Sequence, residues 1–320
     1  METAAPAGRD DEPITGEKMR TRRDDLERTF VRALAAAVVL SFPCAAQQPP
    51  RDWSAVERAL GRPGLPQPDG VIRFGFPRGD LQVNIGDVRV LPALALGSWV
   101  AFRPEGARAT MMGDLVLTEE ELSPVTDRLR EGGVDVTAVH NHLLGEMPRV
   151  LYAHIHGHGD AARLAQSVYA ALALSKTPLG VPPAVMAVRI DLDTAAVAKA
   201  LGVAGRVNGG VYQVSVPRAG VIREGGAPLS PAMGVATGIN FQPLGAGRAA
   251  ITGDFVMIPA EVAAVQRALR AHHIGITALH SHMTDEQPRL LFMHFWAVDD
   301  AVTLAQGLRA GLDKMAIARR

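Results

Sequence analysis

From Asp52 onward the chain repeats itself at an offset of 140 or 141 residues. DWSAVERALG (52–61) returns as DTAAVAKALG (193–202), Pro77-Arg78 as Pro217-Arg218, and Gly113-Asp114 as Gly253-Asp254. VTAVHNH (136–142) returns as ITALHSH (276–282), PRVLYAH (148–154) as PRLLFMH (288–294), and DAARLAQ (160–166) as DAVTLAQ (300–306). A duplicated unit obeys the same rules twice, so one copy read closely predicts both. The copies are expected to occupy 47–178 and 179–320, meeting at the Pro-rich segment TPLGVPP (177–183).

Within the first copy, a short helix at 53–60 precedes strands near 71–76, 83–90, 96–103 and 109–117. Thr118 with Glu121 three residues on is a capping box, and the second copy opens the same helix with Pro259 in its first turn. Gly132-Gly133 stops that helix, VDVTAVH (134–140) reads as a strand, and Met147-Pro148 turns the chain into the strand VLYAHIH (150–156). Asp160 or Gly159 caps an alanine-rich helix, and MAVRID (186–191) is a candidate closing strand. Strand–helix–strand–strand–helix is the order of a ferredoxin-like split βαβ core, here with extra strands before it. The expected fold class is α+β: two tandem homologous repeats, each a mostly antiparallel sheet with helices on one face.

Residues 1–46 read as an address. Arginines cluster at Arg20, Arg22, Arg23 and Arg32, ALAAAVVLSF (33–42) is an apolar core, and Pro43-Cys44-Ala45-Ala46 precedes a polar Gln/Pro stretch. That is the layout of a secretory signal peptide cut after Ala46, with Met19 as a possible true start. A buried first helix is the other reading. Arg22-Arg23 is a weak twin-arginine signal, because Asp24 and Asp25 follow. Ser41-Phe42-Pro43 is a poor approach to a lipid-accepting Cys44. The expected localisation is exported: periplasmic, secreted or envelope-associated.

Composition narrows the chemistry. Cys44 is the only cysteine, which excludes an intrachain disulfide, a Cys-based zinc site and an iron–sulfur cluster. Lys+Arg and Asp+Glu are 33 each, with no basic stripe for nucleic acid, and 5% aromatic residues make no base-stacking surface. No apolar run reaches the roughly 18–20 residues of a membrane span. There is no phosphate-binding glycine loop, dinucleotide fingerprint or G-x-S-x-G elbow.

All ten histidines fall within 140–158 and 272–294. Both copies carry H-x-H-x3-E-x-P-R-x4-H: His140, His142, Glu146, Arg149 and His154, then His280, His282, Glu286, Arg289 and His294. The first copy adds His156 and His158, where the second has Trp296 and Val298. Alternate residues of a strand share a face, so His140 and His142 pair off, as do His154 and His156. With an even pairing sum between the two strands, all four converge. Neutral imidazoles with Glu146 from the connecting loop suit Zn²⁺, Cu²⁺ or Fe²⁺. Arg149 and Arg289 are candidates to bind an anion. The spacing echoes a cupin metal motif, but a capped helix before it does not fit a cupin. The competing reading is a duplicated hydrogen-bonding network that locks the hairpin. Helix capping accounts for Glu121, Glu261, Asp160 and Asp300, and a turn or surface role is expected for Asp114 and Asp254. Pro77-Arg78 and Pro217-Arg218 read as edge-strand or turn residues.

LPALALGSWVAF (91–102), MGDLVLTEEEL (112–122), TAVHNHLLGEMPRVLYAHIHGHGD (137–160), INFQPLGAGRAAITGDFV (239–256) and TALHSHMTDEQPRLLFMHFW (277–296) together resemble the LppY/LpqO-like family of bacterial envelope proteins. The resemblance spans 52–314 and implies an exported protein built on a domain without an assigned activity. The function expected is binding of a divalent metal, zinc or copper, or of a small polar ligand. The rivals are a metal-dependent hydrolase with Glu146 as general base, and a non-catalytic binder of cell-wall polymer or protein.

Overall fold

The computed structural model describes residues 51–181 and 189–318. The N-terminal basic and apolar segment with Cys44 lies outside the described residues, as do 186–188 of the candidate closing strand; 189–191 form no strand. Both repeats belong to one unit, Gln48–Arg320.

The first repeat runs α1 (Ser54–Leu60), β1 (Leu65–Pro66), β2 (Ile72–Pro77), β3 (Asn84–Ile85), β4 (Val88–Arg89), α2 (Pro92–Ala95), β5 (Gly97–Glu105), β6 (Arg108–Thr118), α3 (Glu119–Glu131), β7 (Asp135–His140), β8 (Glu146–Met147), β9 (Val150–Gly159) and α4 (Ala161–Leu172). The second runs α5 (Thr194–Leu201), β10 (Arg206–Asn208), β11 (Val211–Pro217), β12 (Arg223–Glu224), β13 (Ala227–Pro228), β14 (Ala236–Gly245), β15 (Arg248–Met257), α6 (Pro259–Ala271), β16 (Gly275–His280), β17 (Leu291–Asp300) and α7 (Ala301–Leu312).

Each repeat forms a six-stranded sheet, in the orders β1-β2-β5-β6-β9-β7 and β10-β11-β14-β15-β17-β16. The neighbouring strands pair antiparallel throughout. The fold is α+β, as the hydrophobic periodicity implies. The split βαβ core is present: β6 crosses over α3 to β7, and β9 inserts between them. The fourth place beside β6 is taken by β5, its hairpin partner on the N-terminal side, rather than by a strand after α4. The run 83–90 is not one strand. Gly86, at φ 54, folds it into the small hairpin β3–β4, and β3 also pairs with β8.

Apart from the short α2, which lies in the seam, the helices cover only one side of each sheet. Ala153 and Ile155 of β9 pack with Val125 and Leu129 of α3 and Leu164 and Val168 of α4. Phe255, Met293 and Phe295 do the same under α6 and α7. The other faces of the two sheets meet each other. Ala101 and Met112 of the first repeat pack with Val235, Val256 and Phe292 of the second. Val116, Val150 and Tyr152 pack with Val211, Ala250 and Trp296. The order of layers is therefore helices, sheet, sheet, helices. Polar ties cross the seam: Gln242 accepts from Leu91 N (2.9 Å) and donates to Arg89 O (2.7 Å), and Asn240 donates to Leu94 O (3.1 Å). No helix among the described residues is long and apolar enough to cross a membrane.

Arg78 and Arg218 are not turn decoration. Arg78 is fully buried and grips Glu121 through Nη1 (2.7 Å) and Nη2 (3.1 Å), Val116 O (2.7 Å), and Asp80 (2.8 Å). Glu121 also accepts from Thr118 N (2.9 Å) and Lys176 N (2.8 Å). Burial works against the Glu121 charge, yet Arg78 and the two amides hold its carboxyl below the usual range. Arg218 and Glu261 repeat the arrangement at 2.6 and 3.1 Å. The capping glutamate thus joins the ends of β2 and β6, the start of α3 and the segment after α4. Removing one partner leaves a buried charge unmatched, so Arg78→Ala is expected to cost about 3–5 kcal/mol in urea unfolding. Breaking the exposed Arg128–Glu131 pair (3.6 Å) should cost under about 1 kcal/mol. Equal costs would refute this ranking.

Candidate metal centre

The histidines sit at the seam between the sheets because of register. His140 faces Tyr152 and Ala138 faces His154 across β7 and β9, so the pairing sum is even and His140, His142 and His154 share the inner face. In the second repeat Ala278 faces His294 and His280 faces Phe292. The alanines opposite His154 and His294 leave room for those rings. Both edge strands carry a bulge, at Thr137 and Thr277, and both extra residues reach across the seam. Thr137 Oγ1 donates to His282 O (2.6 Å) and Thr277 Oγ1 to His142 O (2.5 Å).

The two sets of rings interleave. His140 stacks on His280 with centroids 3.5 Å apart, His142 on His294 at 3.8 Å, and His154 on His282 at 3.5 Å. His142 is backed by Tyr152 (3.3 Å) and His282 by Phe292 (3.4 Å). His294 Nδ1 meets Gly253 O at 2.9 Å, and His154 is hydrogen-bonded to the backbone of Gly113. A carbonyl only accepts, so the His294 bond puts the proton on Nδ1 and leaves the Nε2 lone pair free. The glycines permit the close approach: a Cβ at 253 would sit 1.9 Å from Gly238 O, and one at 113 would sit 2.7 Å from Trp99 O.

Nε2 of His140, His142, His154, His280, His282 and His294 is buried without a hydrogen-bond partner, and so is Asp114 Oδ1. Ligand atoms of Asp114, His140, His142 and His154 lie within 4.8 Å of one another, and so do those of His140, His280, His282 and His294. These groups could hold a metal ion.

Asp114 corrects the expectation of a turn or surface role. It lies mid-strand opposite His154, only 6% exposed, with Oδ2 3.6 Å from His142 Nε2. Burial, reinforced by Asp254, pushes its carboxyl up to about 8, while Arg73 pulls the other way. Asp254 opposite His294 is raised to about 7, chiefly by burial. Arg73 stacks on Trp99 at 3.8 Å and donates to Ala232 O (2.9 Å). The recurrence of Gly-Asp in both copies was the available sign; the partners Tyr152, Phe292, Thr137, Thr277 and Arg73 gave none.

Other candidates lie elsewhere. Glu146 and Glu286 belong to neither group. Glu146 accepts from its own amide and that of Val150, and Glu286 accepts from Leu290 N (2.8 Å), so each is taken up in shaping its own turn. Arg289 pairs with Glu286 (3.2 Å), and the exposed Arg149 is 3.6 Å from Glu119. His156 shares the face of His154 but lies about 7 Å further along the strand. Its Nε2 is 3.3 Å from Glu224 of the other repeat, a partner that raises its pKa. His158 pairs with Glu105 at 3.1 Å.

All six clustered imidazoles are pushed toward the neutral form, His140 to about 4 and His294 to about 3, the others well below the usual range. Burial is the first cause in each case, and neighbouring imidazoles add to it for all but His140. Below pH about 6.5 the unfolded chain takes up protons that the folded one refuses, so stability falls as pH drops from about 6.5 to 4. Asp114 and Asp254 oppose this, retaining protons that the unfolded chain has lost, but they are two groups against six. Metal-free protein should lose about 1.4 kcal/mol per pH unit for each net proton in that window. A urea midpoint that stays flat between pH 6.5 and 4 would contradict buried neutral imidazoles.

A family profile described as Domain of Unknown Function (DUF1259) matches residues 54–174 and again 195–314. No curated protein matches the chain. Among solved structures, a trimeric bacterial microcompartment shell protein, PduB, aligns at 12% identity over 77% of this chain and 87% of its own, with a TM-score of 0.19, too low to support any argument. The two profile matches take in both histidine-bearing halves, and the chain belongs to the Domain of Unknown Function (DUF1259) family, whose domain it carries twice.

Proposed function

We propose that this protein binds a divalent transition metal between its two repeats and does so outside the cytoplasm. The observation that carries the metal reading is the set of buried Nε2 atoms, from both repeats, that lack any hydrogen-bond partner. A structural lock built from histidines would join ring nitrogens to acceptors. Here the rings stack face to face and their free nitrogens converge. Nitrogen donors with one carboxylate favour zinc or copper over calcium or magnesium, which prefer oxygen. His294, fixed through Nδ1 by a backbone carbonyl, has the outer support usual for a metal-binding imidazole.

Export is supported by the arginine cluster, the apolar run 33–42 and Ala45-Ala46 before the polar linker. The motifs quoted above support the finer family reading, an LppY/LpqO-like envelope protein. Cell-wall polymer remains the partner class that reading suggests. A hydrolase with Glu146 as general base draws no support from the site, since that carboxylate is engaged by its own turn.

The test is metal content by mass spectrometry on protein purified without a His tag, beside the His140→Ala/His142→Ala variant. Near-stoichiometric metal, reduced in a variant that keeps its circular dichroism, is the expected result. Free metal at 100 times Kd should stabilise the wild type by about 2.7 kcal/mol per site and the variant by less. Metal-free protein that takes up neither Zn²⁺ nor Cu²⁺ would refute the proposal.

A further inference from the structure

We propose that the seam holds two ions of unequal character: a closed four-ligand site on Asp114, His140, His142 and His154, and an open three-ligand site on His280, His282 and His294. The inference rests on the metal-binding reading above and adds to it a second ion and a vacant coordination position.

Three observations lead here. First, six nitrogens around one ion at about 2.1 Å would all lie within about 4.2 Å of one another. The donors instead fall into two groups within 4.8 Å, sharing only His140.

Second, rings that radiate from one ion are further apart at their centroids than at their donor atoms. For tetrahedral nitrogen ligands at about 2.0–2.1 Å, that places the centroids about 5 Å apart. His140 stands 5.0 Å from His142 and 4.9 Å from His154, and His280 stands 4.9 Å from His282 and 5.0 Å from His294. Three pairs that cross the seam are closer, 3.5–3.8 Å, and face to face, which is the spacing of stacked rings and not of rings sharing an ion. Three other cross-seam pairs, His140–His294, His140–His282 and His154–His280, stand 5.6–6.1 Å apart. His140 therefore serves the ion of its own repeat, and its nearness to the other group comes from stacking on His280. Two triads stacked ring on ring carry their ions about one stacking distance apart, on the order of 4 Å, the separation found in two-metal sites.

Third, the duplication is broken at the carboxylate. Asp114 joins the first group, whereas Asp254 joins neither. The first ion thus has three nitrogens and one oxygen, a filled tetrahedron. The second has three nitrogens and one position left for water or a small anion.

The full chain, stripped with a chelator, is loaded with Co²⁺ and its ions are counted by mass spectrometry while azide is titrated against the visible spectrum. Wild type should hold two ions, and His154→Gln and His294→Gln one each. Azide should shift the spectrum of wild type and of His154→Gln but not of His294→Gln. As a check that needs no variant, the Cu²⁺-loaded wild type should give the half-field magnetic resonance signal of a coupled pair. One ion per wild-type chain without that signal would overturn the proposal while leaving metal binding intact. So would an azide response lost in His154→Gln and kept in His294→Gln. No ion at all would overturn the metal reading itself, and this proposal with it.

Discussion

Imidazole nitrogens taken out of water need either a hydrogen-bond partner or a cation, and an unmatched one costs about 1–3 kcal/mol. Six such rings lie between the sheets of this protein with Nε2 unmatched. The surroundings hold them where they are. Tyr152 and Phe292 back two of the rings, the backbone of Gly113 and Gly253 engages two more, and Thr137 and Thr277 lace the chain of each repeat to that of the other. Apolar clusters flank the histidines on either side. A site that is destabilising when empty is one whose ligand contributes directly to the stability of the fold.

The repeats share a plan but not every residue. On the inner face of β9 the row continues through His156 and His158, each facing a carboxylate, Glu224 and Glu105. The same row of β17 continues through Trp296 and Val298, which pack into the apolar cluster with Val116 and Tyr152. One end of the seam is therefore polar and the other closed by an indole. Asp114 and Asp254 diverge in the same way, one within reach of the imidazoles and the other outside either group. Duplication supplied two equivalent half-sites, and these few positions made them different.

Much of this was legible in the chain. Period-2 and period-3.6 patterning gave the strands and helices of the core, and the capping box at Thr118–Glu121 and the Asp160 cap are where the spacing put them. The recurring H-x-H and the later histidine announced a shared face, and an even register delivered it. Glu146 misled because its spacing fits a ligand, while its carboxylate is consumed by the amides of a turn that motif spacing does not describe. Arg78 misled because a Pro-Arg pair at a strand end looks like surface until a buried glutamate is found opposite it.

The sequence by itself determined that one α+β unit is written twice and that histidines mark one strand pair in each copy. It could not say that the two marked faces meet. That depends on which side of each sheet the helices cover, and on bulges at Thr137 and Thr277 that set the edge strands in place. Only when the uncovered faces pack together do rings 128 to 152 positions apart in the chain come within 4 Å, centroid to centroid. The centre is a property of that packing, because no single repeat contains both halves of it.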